Sequence, residues 1–300
     1  MDTSFIKGIV VPILTPVDPD ESVDEEALRK QVDYVIAHGV HGILAFGSNG
    51  EFYMFDPSEM EFSLHVILDQ TAHRVPVYFG MGAVSTKKCV ALAKMAQQAG
   101  VDGISVLQPM FLKPTEDELF LHFQTIAQAV PQLPVLLYNN PGRVGYTLSG
   151  NLVERLAREV PNIVGMKDSS GDMTQTEEFI RRTLDLDFKV FGGKDTLIYA
   201  TMAHGGVGSV CTTANYMPDL VVSVYDSFVS GRTQESLQAQ FRLNPIRLAM
   251  DKASFPVATK DMANMLGRQV GAPLRPNLPT GEQSPAYAAM YGELKKGGLL

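Results

Sequence analysis

The sequence has few cysteines and no long apolar run. Only Cys89 and Cys211 occur among its 300 residues. Each lies within an apolar segment, which is typical of reduced core thiols rather than of a disulfide framework or a metal cluster. No apolar run approaches the ~18 residues that a membrane-spanning helix needs. The sequence therefore predicts neither a disulfide-stabilised secreted domain nor contact with a membrane.

Basic residues and metal-binding motifs are scarce as well. The 25 Lys and Arg residues are outnumbered by 33 Asp and Glu, and the resulting net charge of −8 argues against a nucleic-acid-binding surface. Neither a His-Glu-x-x-His nor a Cys-x-x-Cys spacing is present, so we expect no metal and no cofactor. Residues 1–4 lack the basic and apolar regions of a signal peptide, which predicts a cytoplasmic protein.

What the sequence does contain is a recurring joint between helices and strands. Residues 36–43, 96–104 and 202–208 each close a helical stretch with glycine and then open an apolar strand. Strands and helices alternate over most of the chain, which indicates a parallel sheet. About eight such units predict an α/β fold, a (β/α)₈ TIM barrel with a helical C-terminal extension.

The strand pattern sets the predicted domain limits. We place the barrel in residues 1–230 and the extension in 231–300, where residues 233–267 show only helical periodicity and a final helix follows at 285–295. The eight predicted strands are 8–14, 42–46, 75–80, 103–107, 134–138, 163–167, 189–192 and 206–210.

Chemistry in such a barrel lies where strands end and loops begin. The sixth predicted strand ends in Lys167, which is followed by a polar loop that Gly171 closes. A lysine between apolar neighbours loses hydration as a cation, which favours the free amine that attacks carbonyls. Its rival, Lys194, precedes Asp195 and should be more exposed and ion-paired. We therefore prefer Lys167 as the nucleophile, with a solvated strand-end lysine as the alternative.

Three other strand ends carry polar groups. The loop that begins Gly47-Ser48-Asn49 offers backbone amides and small polar side chains, a cradle for a carboxylate or oxyanion if it is not a plain turn. Tyr138 ends an apolar strand, where its hydroxyl either relays protons or simply packs. Arg143 follows in a Pro-Gly turn, where it either clamps a carboxylate bidentately or is solvated.

Three motifs, taken in chain order, resemble those of the dihydrodipicolinate synthase / N-acetylneuraminate lyase family of Schiff-base aldolases. They are Gly-Ser-Asn-Gly-Glu, Tyr-Asn-Asn-Pro-Gly-Arg and Gly-Met-Lys-Asp-Ser-Ser-Gly. The resemblance covers nearly the whole chain. It implies that Lys167 condenses with the ketone of pyruvate or another 2-oxo acid, and that Ser48 and Asn49 hold the carboxylate. It further implies that Tyr138 shuttles protons and that the backbone of Val210 lies beside bound pyruvate.

The resemblance leaves the substrate open. Dihydrodipicolinate synthases usually carry Tyr-Tyr after the fourth strand, whereas this chain has Met110 and Phe111, so Phe111 can wall a pocket but cannot carry a proton. Arg143, in contrast, stands where the synthases grip the carboxylate of their aldehyde. The motifs also resemble those of 4-hydroxy-2-oxoglutarate aldolases. We favour a synthase-like lyase that joins pyruvate to, or releases it from, a carboxylate-bearing aldehyde.

Other interpretations stay open beside this one. They are a 2-keto-3-deoxy sugar acid aldolase or dehydratase, a barrel that binds phosphorylated sugars at strands seven and eight, and a 2-oxo-acid-binding protein without turnover. The resemblance also implies a homotetramer built as a dimer of dimers, in which Phe111 faces a neighbouring subunit.

Overall fold

The computed structural model describes all 300 residues, and its strands close into one parallel barrel in chain order. Each strand pairs with the next, and the last pairs with the first, so no sheet edge is left. The strands are β1 Gly8–Pro12, β2 Gly42–Ala45, β3 Val77–Met81, β4 Gly103–Leu107, β5 Val135–Asn139, β6 Ile163–Asp168, β7 Lys189–Gly192 and β8 Gly208–Val210.

Helices cover the outside of the barrel and continue beyond it. Those up to α9 connect or follow the strands, and the last three form the extension. They are α1 Glu25–Ala37, α2 Pro57–Thr71, α3 Thr86–Ala99, α4 Glu116–Ala129, α5 Pro141–Val144, α6 Gly150–Glu159, α7 Met173–Arg182, α8 Ile198–Ala203, α9 Pro218–Val229, α10 Thr233–Ala249, α11 Val257–Met265 and α12 Pro285–Lys296. None of them is long and apolar enough to cross a membrane.

The predicted barrel and its eight strands are confirmed, with small shifts at the strand ends. The first strand stops at Pro12 rather than residue 14 because the Leu14 N–H donates to the Asn215 side chain at 2.9 Å. The eighth begins at Gly208, where φ is +148° and an added Cβ would lie 2.0 Å from the Gly8 carbonyl oxygen. Only glycine lets the strands approach so closely there.

Local sequence explains where individual helices begin. The predicted capping box before α4 is present: the Thr115 N–H donates to Glu118 at 2.7 Å, and the Glu118 N–H donates back to the Thr115 hydroxyl at 3.4 Å. Asp24 caps α1 in a similar way by accepting from the Ala27 N–H. These caps satisfy amide groups that have no partner within the helix.

The core has an inner part and an outer part. Alternate strand residues fill the barrel interior, including Val10, Leu44, Tyr78, Phe191 and Val210. The remaining strand residues pack outward against the helices in one continuous apolar shell. A filled interior makes the barrel a rigid support for the loops at its carboxyl end.

The extension packs on the barrel through a smaller apolar cluster. Met250, Met262 and Met290 of the extension contact Leu14 and Tyr216 of the barrel in that cluster. The single helical pattern of residues 233–267 is divided in the structure, because a 3₁₀ turn at Met250–Lys252 separates α10 from α11. The division into residues 1–230 and 231–300 stays a prediction.

Candidate active site

Lys167 lies near the carboxyl end of strand β6, between strands β5 and β7. It is in register with Tyr138 on β5 and with Phe191 on β7, and only 5% of its surface is exposed. Its Nζ lies 4.3 Å from the centroid of the Tyr138 ring. No carboxylate lies within salt-bridge distance of this nitrogen, so the charge of Lys167 has no ionic partner in the chain.

The neighbouring Asp168 does not supply that partner, because its carboxylate is already bound elsewhere. Oδ1 accepts from the Asn139 side chain at 2.8 Å and from the Ser170 N–H at 3.1 Å. Oδ2 accepts from the hydroxyls of Thr176 at 2.6 Å and Ser170 at 2.7 Å. Asp168 therefore braces the loop after β6 rather than the lysine.

Tyr138 presents its hydroxyl to the same space. The Asn140 side chain donates to this oxygen at 2.8 Å. Burial alone raises the pKa of Tyr138, but the positive charge of Lys167 and hydrogen bonds from Ser48, Ser169 and Asn140 outweigh burial, so the pKa lies below its ordinary value. A phenol of this kind gives up and recovers a proton more readily than a free tyrosine does.

The carboxylate cradle takes the form of a 3₁₀ turn at Ser48–Gly50, which we call the cradle turn. Gly47 precedes it, and an added Cβ at Gly47 would lie 3.1 Å from Pro12 and 3.2 Å from Leu44. The first amides of such a turn have no acceptor within it. The turn thus offers the backbone N–H groups that carboxylate binding requires.

The side chain of Asn49 is bound to other protein groups and is not free to bind a carboxylate. Its Nδ2 donates to the Thr212 hydroxyl at 2.9 Å, and its Oδ1 accepts from the Thr259 hydroxyl at 2.8 Å. Both polar ends of the side chain are engaged in holding the cradle turn. The backbone amide is the group through which Asn49 can bind a carboxylate.

The residue after the cradle turn is anchored by a buried ion pair. Glu51 and Lys260 are both fully buried, and their Oε2 and Nζ atoms are 2.8 Å apart. The Leu274 N–H donates to the other Glu51 oxygen at 2.9 Å, and Lys260 also donates to the Ala272 carbonyl at 2.9 Å. The extension therefore fixes the cradle turn from behind.

Two adjoining cavities open at this end of the barrel. The inner cavity, about 140 Å³, is lined by five of the predicted site residues, so the structure brings these five together. The outer cavity, about 290 Å³, is largely apolar. The inner cavity is lined by Ser48, Asn49, Tyr138, Asn140, Arg143, Lys167, Ser169, Gly193, Lys194, Thr212, Arg247, Asp251 and Phe255. The outer one is lined by Ser48, Phe52, Tyr53, Leu107, Met110, Arg143, Phe255 and Asn277.

Arg143 and Phe255 border both cavities. Arg143 lies on the short helix α5, and its guanidinium carbon is 4.7 Å from the centroid of the Phe255 ring. The ring holds the exposed guanidinium at the passage between the cavities by a cation–π contact. Arg143 is thus positioned to meet the part of a substrate that extends outward from Lys167.

Three of the predicted site residues do not line either cavity. Gly47 shapes the turn before Ser48, and the Val210 side chain packs in the barrel interior. Phe111 is 95% exposed, and its φ of +71° lies in the left-handed region. Within one chain, Phe111 therefore contributes nothing to the site.

The expected ion pair of Lys194 with Asp195 is absent, so that part of the prediction is wrong. The buried Asp195 carboxylate accepts from the N–H groups of Thr212 at 3.1 Å and Thr213 at 2.6 Å. These amides compete successfully because they begin the loop after β8, directly opposite Asp195. Lys194 is half-buried, more exposed than Lys167 as expected, and lines the inner cavity.

Several lining residues were missed by the sequence reasoning. Arg247, Asp251 and Phe255 come from the extension, and Thr212 follows the eighth strand. The extension shows only helical periodicity, which identifies its apolar face but not which polar residue reaches the barrel rim. No group of three or more His, Cys, Asp or Glu side chains is placed to hold a metal ion.

Comparison with known proteins gives consistent matches over the whole chain. A model of the dihydrodipicolinate synthetase family matches residues 5–290. The chain is 34% identical to a 4-hydroxy-tetrahydrodipicolinate synthase of Methanopyrus kandleri over 98% of this chain and 97% of that one.

Solved structures agree in fold as well as in sequence. The chain is similar to the chloride-inhibited dihydrodipicolinate synthase of Acinetobacter baumannii complexed with pyruvate, with a TM-score of 0.93, 31% identity and coverage of 98% and 100%. It is also similar to YagE, a prophage protein from E. coli K12 in complex with pyruvate, with a TM-score of 0.93, 29% identity and coverage of 98% and 99%.

Proposed function

The chain belongs to the dihydrodipicolinate synthetase family, and on that premise we propose that Lys167 is the residue that forms the imine with pyruvate. The protein is a pyruvate-dependent Schiff-base lyase that resembles 4-hydroxy-tetrahydrodipicolinate synthase. The observation that carries the assignment to Lys167 is its place in the fold. It is a buried lysine at a barrel strand end, without a carboxylate partner and in contact with a tyrosine of lowered pKa.

The chemistry follows from these groups. The neutral Lys167 amine attacks the ketone carbon of pyruvate, and loss of water gives an imine whose protonated nitrogen withdraws electrons. A proton then leaves the pyruvate methyl group, and the resulting enamine carbon attacks the carbonyl of an aldehyde. The new alkoxide takes a proton, and water hydrolyses the imine to release the product and regenerate Lys167. The cleavage direction runs through the same steps in reverse.

Tyr138 and Ser48 are proposed to move the protons in these steps. The lowered pKa of Tyr138 suits a group that alternately accepts and returns a proton near Lys167. Ser48 is one of the groups that lower the pKa of Tyr138, and it also lies in the cradle turn, where its amide and that of Asn49 would bind the pyruvate carboxylate. The Val210 backbone at the end of β8 is proposed to lie beside the bound pyruvate.

Trapping the imine tests the assignment. Borohydride reduction in the presence of pyruvate should attach a stable adduct to the protein, and peptide mass spectrometry should place it on Lys167. The matched controls are Lys167→Ala, which should form no adduct, and Lys194→Ala, which removes the other lysine of the cavity and should still form one. An adduct on Lys194, or none at all, contradicts the proposal.

The partner of pyruvate is proposed to be an aldehyde that bears a carboxylate. Arg143 has no salt-bridge partner and stands between the two cavities, where it would bind that carboxylate bidentately. A second candidate is a 4-hydroxy-2-oxoglutarate or 2-keto-3-deoxy sugar acid aldolase or dehydratase. It is favoured by Phe111, which has no hydroxyl where the synthases place a tyrosine.

A panel of aldehydes and 2-oxo acids, assayed for pyruvate consumed or released, separates these candidates. A synthase-like enzyme consumes pyruvate with a carboxylate-bearing aldehyde, and an aldolase releases pyruvate from a longer 2-oxo acid. A dehydratase converts a 2-keto-3-deoxy acid without releasing pyruvate. Adduct formation without turnover of any compound would instead indicate a 2-oxo-acid-binding protein.

The assembly is proposed to be a homotetramer, a dimer of dimers. Phe111 supports this, since a side chain that is 95% exposed in one chain is typical of a residue that packs against another. Light scattering of the purified protein gives the mass directly. Phe111→Asp should shift the protein toward smaller species, whereas a monomeric wild-type protein contradicts the proposal. A cytoplasmic location, proposed because the relatives are metabolic enzymes, can be tested by cell fractionation.

A further inference from the structure

The inner cavity carries more positive charge than one pyruvate molecule accounts for. Besides Lys167, three cationic side chains line it: Arg143, Lys194 and Arg247. Asp251 is the only carboxylate among the lining residues. Pyruvate has one carboxylate, for which the amides of the cradle turn suffice. The remaining cations favour a second negative group in the same cavity.

Arg247 is the least explained of these cations. It lies on α10, and its side chain is only 15% exposed. Nη1 donates to the Asp251 carboxylate at 2.7 Å, but no other protein acceptor is bound by its guanidinium, which has five N–H donors. Asp251 is itself 60% exposed, so water weakens this ion pair. The charge of the buried Asp195 also acts on Arg247, but its carboxylate is bound to the Thr212 and Thr213 amides and not to the guanidinium, whose other N–H donors stay open to a ligand.

The two cavities differ in charge, and Arg247 lies in the one that also contains Lys167. Arg247 and Lys194 line the inner cavity only, whereas the outer cavity is bordered by Phe52, Leu107 and Met110. A negative group of the substrate would therefore be bound in the inner cavity of about 140 Å³, which Lys167 also lines, rather than in the outer cavity. This volume suits a short carbon chain that ends in a carboxylate.

We propose that Arg247 is a specificity-determining residue that binds a second carboxylate on the 2-oxo acid attached to Lys167. The proposal rests on the imine at Lys167 and goes beyond it, because it assigns selection of the substrate to the extension rather than to the barrel. Asp251 competes for the same guanidinium and so limits the affinity for that carboxylate.

Two 2-oxo acids of equal chain length test the proposal. 2-Oxoglutarate has a second carboxylate and 2-oxopentanoate does not, and borohydride trapping gives the concentration of each that half-saturates the protein. We expect wild-type protein to prefer 2-oxoglutarate, and Arg247→Met to lower that preference by roughly tenfold or more. Arg247→Lys, which keeps a charge but not the planar fork, should retain part of it.

Matched variants separate binding from a structural effect. Arg242→Met changes another arginine of α10, one that borders a different cavity, and should leave the preference as in wild type. Asp251→Asn should raise the preference, because the competing carboxylate is gone. An ion pair that serves only the fold predicts the same preference in all these proteins, and that result overturns the inference.

The two proposals fail in different ways. If wild-type protein traps neither pyruvate nor the longer acids, the imine on Lys167 is wrong. If it traps pyruvate but shows no preference for 2-oxoglutarate, the role of Arg247 is wrong and the imine stands. Thermal melting of each variant shows that it is folded, and the ratio between two ligands in one protein does not depend on the active fraction.

Discussion

Lys167 and Lys260 are both buried, but their surroundings differ. Lys260 on α11 is fully buried, contacts the Glu51 carboxylate at 2.8 Å and donates to the Ala272 carbonyl. Lys167 at the end of β6 is 5% exposed and faces the ring of Tyr138, with no carboxylate in reach. Lys260 is ion-paired between the extension and the barrel, whereas Lys167 at the barrel rim has no ionic partner.

Under the proposed role of Lys167, burial alone is not what makes a lysine reactive. Burial lowers the pKa of Lys260, but Glu51 opposes that effect and holds the ammonium in a fixed contact. At the rim, the acidic residues next to the cavity lysines, Asp168 and Asp195, turn their carboxylates to neutral donors instead. Reactivity therefore depends on where the acidic neighbours point.

The largest expected effect comes from removing the free lysine. Lys167→Met should lower kcat/KM by at least about ten-thousandfold, because it removes the amine that we propose forms the imine. Its free energy of unfolding should be equal to or above that of wild type, since no buried carboxylate loses a partner. Steady-state kinetics and urea unfolding measure the two quantities. Marked destabilisation would show that Lys167 is structural after all.

Removing the paired lysine should have the opposite outcome. Lys260→Met leaves the Glu51 carboxylate buried without a cation, which should lower the free energy of unfolding by about 3–5 kcal/mol. The double variant Lys260→Met/Glu51→Gln should recover most of that loss, because the buried charge is gone. Urea unfolding of the three proteins tests this. Equal stability of the single and double variants would mean that the pair is not electrostatically coupled.

Removing the hydroxyl of Tyr138, which lies beside Lys167, should have an intermediate effect on the rate. Tyr138→Phe keeps the ring beside Lys167 but removes the hydroxyl, and should slow imine formation and kcat by about a hundredfold. The adduct should still form on Lys167 after longer incubation. Trapping at a series of times gives the rate. A rate equal to that of wild type would exclude Tyr138 from the proton transfers.

The charge on Lys260 also predicts a pH dependence. In Glu51→Gln the group that opposes the effect of burial is gone, so the pKa of Lys260 should fall further below its ordinary value of 10.5. Between the lowered pKa of the folded state and 10.5, the unfolded chain binds more protons than the folded one, so stability rises with pH in that interval. The deficit of Glu51→Gln relative to wild type should therefore narrow as the pH rises toward 10.5. A constant deficit contradicts this.

The smallest effect is expected where the extension contacts the cradle turn through neutral groups. Thr259→Val removes the hydroxyl that donates to Asn49 at 2.8 Å and should cost about 1 kcal/mol of unfolding free energy. A less rigid cradle turn should also raise KM for pyruvate severalfold with little change in kcat. Thr280→Val changes another threonine of the extension, one that contacts Asp261 rather than the cradle turn, and is a matched control that should leave KM unchanged.

Much of the barrel could be predicted because its signals are local. Glycines that end helices and short apolar runs mark each unit, and parallel strands carry their ends to one rim. From that rule we expect Lys167, Tyr138, Ser48 and Arg143 at one rim. In the structure all four line one cavity. The shifted strand ends, such as Pro12, depend on side-chain hydrogen bonds from distant residues.

The rest depends on contacts between residues far apart in the chain. Thr259 and Lys260 contact Asn49 and Glu51 across more than 200 positions. No local pattern indicates such a pairing. The predicted pair of Lys194 and Asp195 failed for a related reason, since adjacency in sequence says little about where two side chains point once a strand has ended.

The anchoring of the cradle turn from the extension has a consequence for the order in which the chain is made. The eighth strand is complete at Val210, so a nascent barrel can close well before Thr259, Lys260 and Leu274 leave the ribosome. Until they do, Glu51 lacks its cation and Asn49 lacks one of its donors. The cradle turn therefore gains its full set of contacts only after the barrel strands are made, and we expect a ribosome-stalled barrel to fold before it is active.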